Sequence, residues 1–252
     1  MYSTCPKCGH RNAASGEASS PDCPACGLVF SKYLQNVVLD DSALELAKQQ
    51  QSAGLKLPVA RLAWLFPLKP GLGRGELLFY GLIWVLLLLW GLDFIAMDFR
   101  SNEIGRSWLH NVNLIFHEAG HILFMPFGRS MMFLGGSLFQ VLLPLMLMGV
   151  FLSLHKDGFA ASVCLWWAGQ SLMDVAPYIA DARALRLPLL GGGTGADSPG
   201  RHDWANLLGP RGWLDYDIRI ATVADATGSG LLLLALGWGG WMLLRYYRKS
   251  TE

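Results

Sequence analysis

An all-α polytopic membrane protein of four to five transmembrane helices, preceded by a small metal-binding module, is the architecture this sequence predicts. Three observations carry the prediction. Of 252 residues, 15% are charged and 52% hydrophobic, against about 25% charged in an ordinary soluble domain. The apolar residues fall in long blocks near the ~20 residues that cross ~30 Å of hydrocarbon at ~1.5 Å per residue. Four of the five cysteines lie outside those blocks, before residue 27.

The N-terminal module spans residues 1–31. Cys5-Pro-Lys-Cys8-Gly9 and Cys23-Pro-Ala-Cys26-Gly27 form two knuckles with 14 residues between them. Zinc takes four thiolates in a tetrahedron at about 2.3 Å, and each Cys-x-x-Cys supplies two sulfurs from one turn. Gly9 and Gly27 follow the pairs, where a positive φ is often required. Two spaced knuckles point to structural zinc rather than to a disulfide framework or a redox dithiol. His10 reads as a surface residue, and Cys164 as a buried thiol without a role. A closed four-cysteine site stabilises the fold and leaves no position open for reaction. Thiolate zinc persists most easily in a reducing compartment. The N-terminus also lacks the basic start, apolar core and cleavage site of a secretory signal. Both features place it in the cytoplasm. A net charge of +1 gives no basic field for nucleic acid.

Residues 32–76 read as a linker followed by an interfacial segment. The stretch 32–51 is polar with helical periodicity at Val37, Val38, Leu44 and Leu46. The segment 55–75 mixes Pro58, Pro67 and Pro70 with Trp64, Phe66 and basic residues, which suits a membrane surface. Residues 77–252 hold five apolar segments: 77–97, 108–127, 131–154, 158–180 and 226–244. The last ends in Arg245, Arg248 and Lys249. Five full spans would carry those cations to the side opposite a cytoplasmic N-terminus, against their usual preference. Either one segment is re-entrant or the positive-inside preference fails here. A polar stretch with a Gly-rich run, 191–195, and the sequence Arg201-His-Asp-Trp204 separates the fourth and fifth segments.

The second apolar segment carries His117-Glu118-Ala119-Gly120-His121. Histidines at i and i+4 share a helix face and can grip one zinc. Glu118 is then placed to accept a proton from a water whose pKa the metal has lowered to about 7. Three ionisable groups in one apolar segment cost several kcal/mol each unless paired or ligated, so they mark a functional site. A hydrolytic centre needs a third protein ligand and an open fourth position. Asp174, the acidic residue of the fourth segment, is the first candidate. His121 and Asp174 each lie seven residues before the end of their segments, so counting from those ends puts them at similar depth. Asp181 and His202 are the alternatives. Gly135, Gly136, Gln140 and Gln170 read as helix-packing or hydrogen-bonding positions near the same level.

Two resemblances follow from these motifs. The first 30 residues resemble the zinc-ribbon family. The HEAGH helix, the apolar segments around it and the downstream Asp resemble the site-2 protease family of intramembrane zinc metalloproteases, over roughly residues 108–182. That resemblance implies zinc held by His117, His121 and Asp174, with Glu118 as catalytic base. It implies cleavage of a membrane-embedded protein or peptide substrate within the lipid bilayer. Separately, the expected location is a cell inner (plasma) membrane, with a cytoplasmic protein as the ribbon's candidate partner. The text around Asp174, Leu172-Met-Asp-Val-Ala-Pro177, departs from the family's Leu-Asp-Gly. A different class also fits the motifs: a non-catalytic membrane scaffold or metal-sensing protein whose inner site is structural.

Overall fold

The computed structural model describes residues 4–11, 21–33, 66–69 and 71–251. The linker helix expected over 32–51 and much of the interfacial segment fall outside these residues. The chain divides into two compact units, 1–61 and 62–252. The described residues are mostly helical, at 73%, and contain isolated β-bridges but no strands.

In the N-terminal unit the two knuckles repeat one backbone pattern. Cys5 N–H donates to the His10 carbonyl and Gly9 N–H to that of Cys5, at 2.8 and 2.9 Å; Cys23–Leu28 and Gly27–Cys23 repeat these bonds at 2.9 and 2.8 Å. Single antiparallel bridges, Thr4 with Arg11 and Asp22 with Val29, close each turn. Gly9 and Gly27 take φ of 73° and 70°, as their position after each Cys pair anticipates.

The second unit is a helical bundle: α1 (Arg74–Ala96), α2 (Trp108–Phe124), α3 (Arg129–Val150), α4 (Gly158–Ala180), a short α5 (Asp203–Leu208) and α6 (Asp217–Thr251). All five apolar segments are helical, but they are not equivalent. Three helical stretches, Arg74–Ala96, Arg129–His155 and Leu214–Lys249, are long and apolar enough to cross a membrane. On α1, Leu78, Phe79, Leu82, Leu86 and Leu89 are all exposed, a surface that suits lipid and not water. The other two segments narrow the expectation of four to five spans. Helix α2 has 17 residues, about 25 Å at ~1.5 Å each. Helix α4 has 23 residues, of which 17 are buried; protein rather than lipid surrounds it. It carries Trp166, Ser171 and Asp174 because its neighbours satisfy them.

Small residues let the helices close in. Gly120 of α2 meets Gly135 of α3, and Gly169 of α4 meets Gly228 of α6, each backbone against backbone. The main apolar core gathers Phe94 from α1, Leu165, Trp166 and Met173 from α4, and Leu232 and Leu236 from α6. The first crossing fixes α2 on α3 beside the polar cavity described next.

Candidate metal centre

Four helices and a loop contribute to one cavity of about 520 Å³, within the ~300–1,000 Å³ usual for ligand sites. His110, His117, Glu118 and His121 enter from α2, Ser137 and Gln140 from α3, Asp174 and Tyr178 from α4, and Asp203 from α5; Leu187 to Leu190 cover it from the loop.

The two histidines behave as the i, i+4 spacing requires. Their rings face each other at 4.8 Å between centroids and 80°. Each presents Nδ1 to a protein oxygen: His117 to Gln140 Oε1 at 2.9 Å, His121 to the Met132 carbonyl at 2.8 Å. An amide or backbone carbonyl can only accept, so Nδ1 carries the proton in both rings and Nε2 is the free ligand atom. Both Nε2 atoms converge on Asp203 Oδ2, at 3.2 and 3.3 Å. A tetrahedral ion with N and O ligands at ~2.0–2.1 Å has ligand–ligand edges of about 3.3 Å. The donor set and spacing therefore fit such an ion. Close approach on the far side requires Gly136, where a Cβ would lie 2.6 Å from His117 Nε2 and 2.7 Å from His121 Nε2. Glu118 lines the same cavity, half-buried, with no hydrogen bond among the described residues.

Asp203, not Asp174, stands beside the two histidines, and this corrects the expectation from segment depth. Asp174 Oδ1 pairs with His110 Nδ1 at 2.9 Å, and its Oδ2 accepts from Asn113 Nδ2 at 3.1 Å. It shares the cavity, but its partners sit one to two helical turns before His117. Counting from segment ends assumes that the ends are level; packed helices slide along one another to seat small residues against large ones. The alternatives are also placed elsewhere. His202 caps α5, its Nδ1 accepting from Ala205 N–H at 3.2 Å, and its Nε2 meets Asp181 Oδ2 at 3.4 Å. Asp181 further accepts from the Arg186 and Leu187 amides at 2.8 and 2.9 Å. Burial opposes its charge, yet the His202 and amide hydrogen bonds win and hold its carboxyl below the usual range.

Together these contacts deliver Asp203. Its own N–H donates to Tyr178 Oη at 3.1 Å, and Trp204 Nε1 donates to Ser137 Oγ at 3.1 Å. The six-residue α5 is thus pinned to α3 and α4 by its first residues. Burial alone would raise the Asp203 carboxyl, but the facing His117 and His121 rings outweigh it and hold the group below its ordinary range. The sequence signal for Asp203 was slight: it adjoins His202 in the polar loop and nothing else marked it.

The N-terminal cysteines form a second cluster that could hold a metal ion. Cys5 and Cys26 sulfurs lie 3.7 Å apart, and Cys8 and Cys23 sulfurs 3.8 Å; a zinc tetrahedron at ~2.3 Å has edges of about 3.8 Å. Burial works against the Cys5 thiolate, but amide hydrogen bonds from Cys8 and Lys7 and the neighbouring thiols bring it down to about 7. The Leu28 amide favours the Cys26 thiolate, yet burial and the crowd of sulfurs push that group up to about 12. Four sulfurs this close concentrate negative charge that a cation would relieve. Cys164 is buried and unpaired by any disulfide. No protein-family model, curated protein or solved structure matches the chain.

Proposed function

We propose that the chain is a zinc-dependent intramembrane peptidase of the site-2 protease type, anchored in a cell inner membrane with its zinc ribbon in the cytoplasm. One observation carries the reading: two Nε2 atoms lie 3.2 and 3.3 Å from one carboxylate oxygen in a cavity that Glu118 shares. His117, His121 and Asp203 would hold the inner zinc, and Cys5, Cys8, Cys23 and Cys26 a structural one.

When bound, zinc at such a centre polarises a carbonyl and brings water into reach of a general base at neutral pH. The rest falls to this chain. Gln140 and the Met132 carbonyl fix which imidazole nitrogen is offered. Glu118 takes the proton from the attacking water and returns it to the leaving amine. A substrate helix must unwind locally to present a bond, since a closed helix satisfies its own backbone. The grouped ligand set has three protein donors, which leaves a fourth position; a fourth side chain there would have favoured a structural role and the scaffold reading.

The test is Glu118→Gln, which keeps shape and hydrogen bonding but cannot accept the proton. Zinc content should stay unchanged while turnover of the natural membrane substrate falls by roughly 10²–10⁴-fold. Membrane proteins that accumulate uncut in cells carrying the variant are the substrates. A Glu118→Gln protein that fully restores a deletion strain would end the peptidase reading and leave the scaffold.

A further inference from the structure

The cavity holds a second polar centre that the metal-centred chemistry does not use. His110 lies seven residues before His117 on α2, close to two full turns, so both face the cavity from one side of the helix with about 10 Å of axial separation. The His110 side chain is 34% exposed, while that of Asp174 is 3% exposed. Asp174 is held on both oxygens, by His110 Nδ1 at 2.9 Å and Asn113 Nδ2 at 3.1 Å. Asn113 is fixed in turn: its Oδ1 accepts from Trp167 Nε1 at 2.9 Å and Ser171 Oγ at 3.2 Å, and its Nδ2 also donates to Gln170 Oε1 at 2.8 Å. Asn113, Gln170 and Ser171 are fully buried.

A buried network of this density is expensive to build and rigid once built, although Gln170 Nε2 within it finds no partner among the described residues. Here it ends in one exposed atom, His110 Nε2, which has no partner among the described residues. A buried carboxylate demands a matching positive charge, and His110 is the titratable group that touches Asp174. The doubly protonated ring meets that demand and leaves Nε2–H as a donor facing the cavity. The group it would bind is therefore an acceptor.

We infer that His110, oriented by Asp174, is a substrate-binding residue that donates to a main-chain carbonyl oxygen of an extended peptide, about three residues from the bond at the metal centre. The spacing sets the number: about 10 Å divided by ~3.3 Å per extended residue. This inference rests on the peptidase reading and names where its substrate is gripped. Asp174 is a positioning residue here, acting through His110.

Peptide hydroxamates test it, because the hydroxamate seats on zinc and the peptide arm reports the distance. Binding of amidated hydroxamates with arms of one to five residues, extended on either side, is measured by calorimetry on the full zinc-loaded chain in detergent micelles. In one orientation, affinity should step up about tenfold as the arm reaches about three residues, the gain of one charge-assisted hydrogen bond. His110→Ala should remove the step and keep the affinity of the shortest arm. On the unaltered protein, replacing that carbonyl by a methylene should also remove it, which guards against a variant that does not fold. A flat series, or a step that survives both changes, overturns the assignment of His110 while leaving the metal centre intact. A step that requires a free terminal carboxylate overturns the main-chain carbonyl in favour of a chain end. Hydroxamates that fail to bind at every length would remove the open metal centre, and the His110 site with it.

Discussion

Gln140 bridges two helices with both ends of one amide: Oε1 meets His117 Nδ1 at 2.9 Å, and Nε2 donates to the Ser171 carbonyl at 3.1 Å. The Ser171 bond fixes which way the amide points, and the amide fixes which His117 nitrogen carries the proton. The tautomer of His117 on α2 is thus decided by a backbone oxygen of α4.

Gln140→Leu should therefore weaken metal binding at the inner centre without touching a ligand. Outer partners of this kind are worth roughly 10–100-fold in affinity. Chelator competition measures it, and Gln140→Glu, which keeps the acceptor, should lose less than Gln140→Leu. Equal losses for the two would mean that packing, not the hydrogen bond, supports His117.

Asp203→Ala should empty the inner centre. Metal analysis of the full chain should fall from about two zinc ions per chain to about one. Asp174→Ala should retain both, because Asp174 is committed to His110 and Asn113. The opposite pattern would return Asp174 to the ligand set.

Gly136→Ala should block the centre by volume alone. The new Cβ would sit 2.6 Å from His117 Nε2, and the rings cannot retreat without breaking their Nδ1 bonds. Inner-site zinc should be lost while helicity by circular dichroism is unchanged. Gly149→Ala, on the same helix with nothing near its Cβ position, is the control and should bind normally.

The Asp181 brace should fail in acid. Its folded carboxyl lies below the ordinary value, so its contribution is full above about pH 4, the unfolded value, and is lost as pH falls through the folded one. Asp181→Asn should mimic that loss at neutral pH. Trypsin should then cut after Arg183, Arg186 or Arg201 roughly tenfold faster than in the parent, the cost of about one charged hydrogen bond. Unchanged cutting rates would show that the loop is held by other contacts.

The parts legible in the sequence were those set by local periodicity or composition. Long apolar blocks identified α1, α3 and α6 as helices fit for lipid, and i, i+4 spacing brought His117 and His121 to one face. The status of α4 was not legible. A helix buried in protein and one bathed in lipid can be equally apolar, and the difference lies in its neighbours. Asp203 was missed for a related reason: its place depends on a 22-residue return path from Asp181 to His202, and no periodicity describes where a loop comes back. Asp174 shows the limit of counting. The count found the right cavity and the wrong turn of α2.

The distance in sequence between His117 and Asp203, 86 residues, also sets an order of events. A chain emerging from the ribosome exposes both imidazoles and Glu118 well before the carboxylate that completes the trio. Until α4 is seated and the loop has folded back over it, the two imidazoles and Glu118 have no Asp203 carboxylate beside them. Under the proposed peptidase reading, a chain stalled or truncated before α5 would lack its third ligand and be inert.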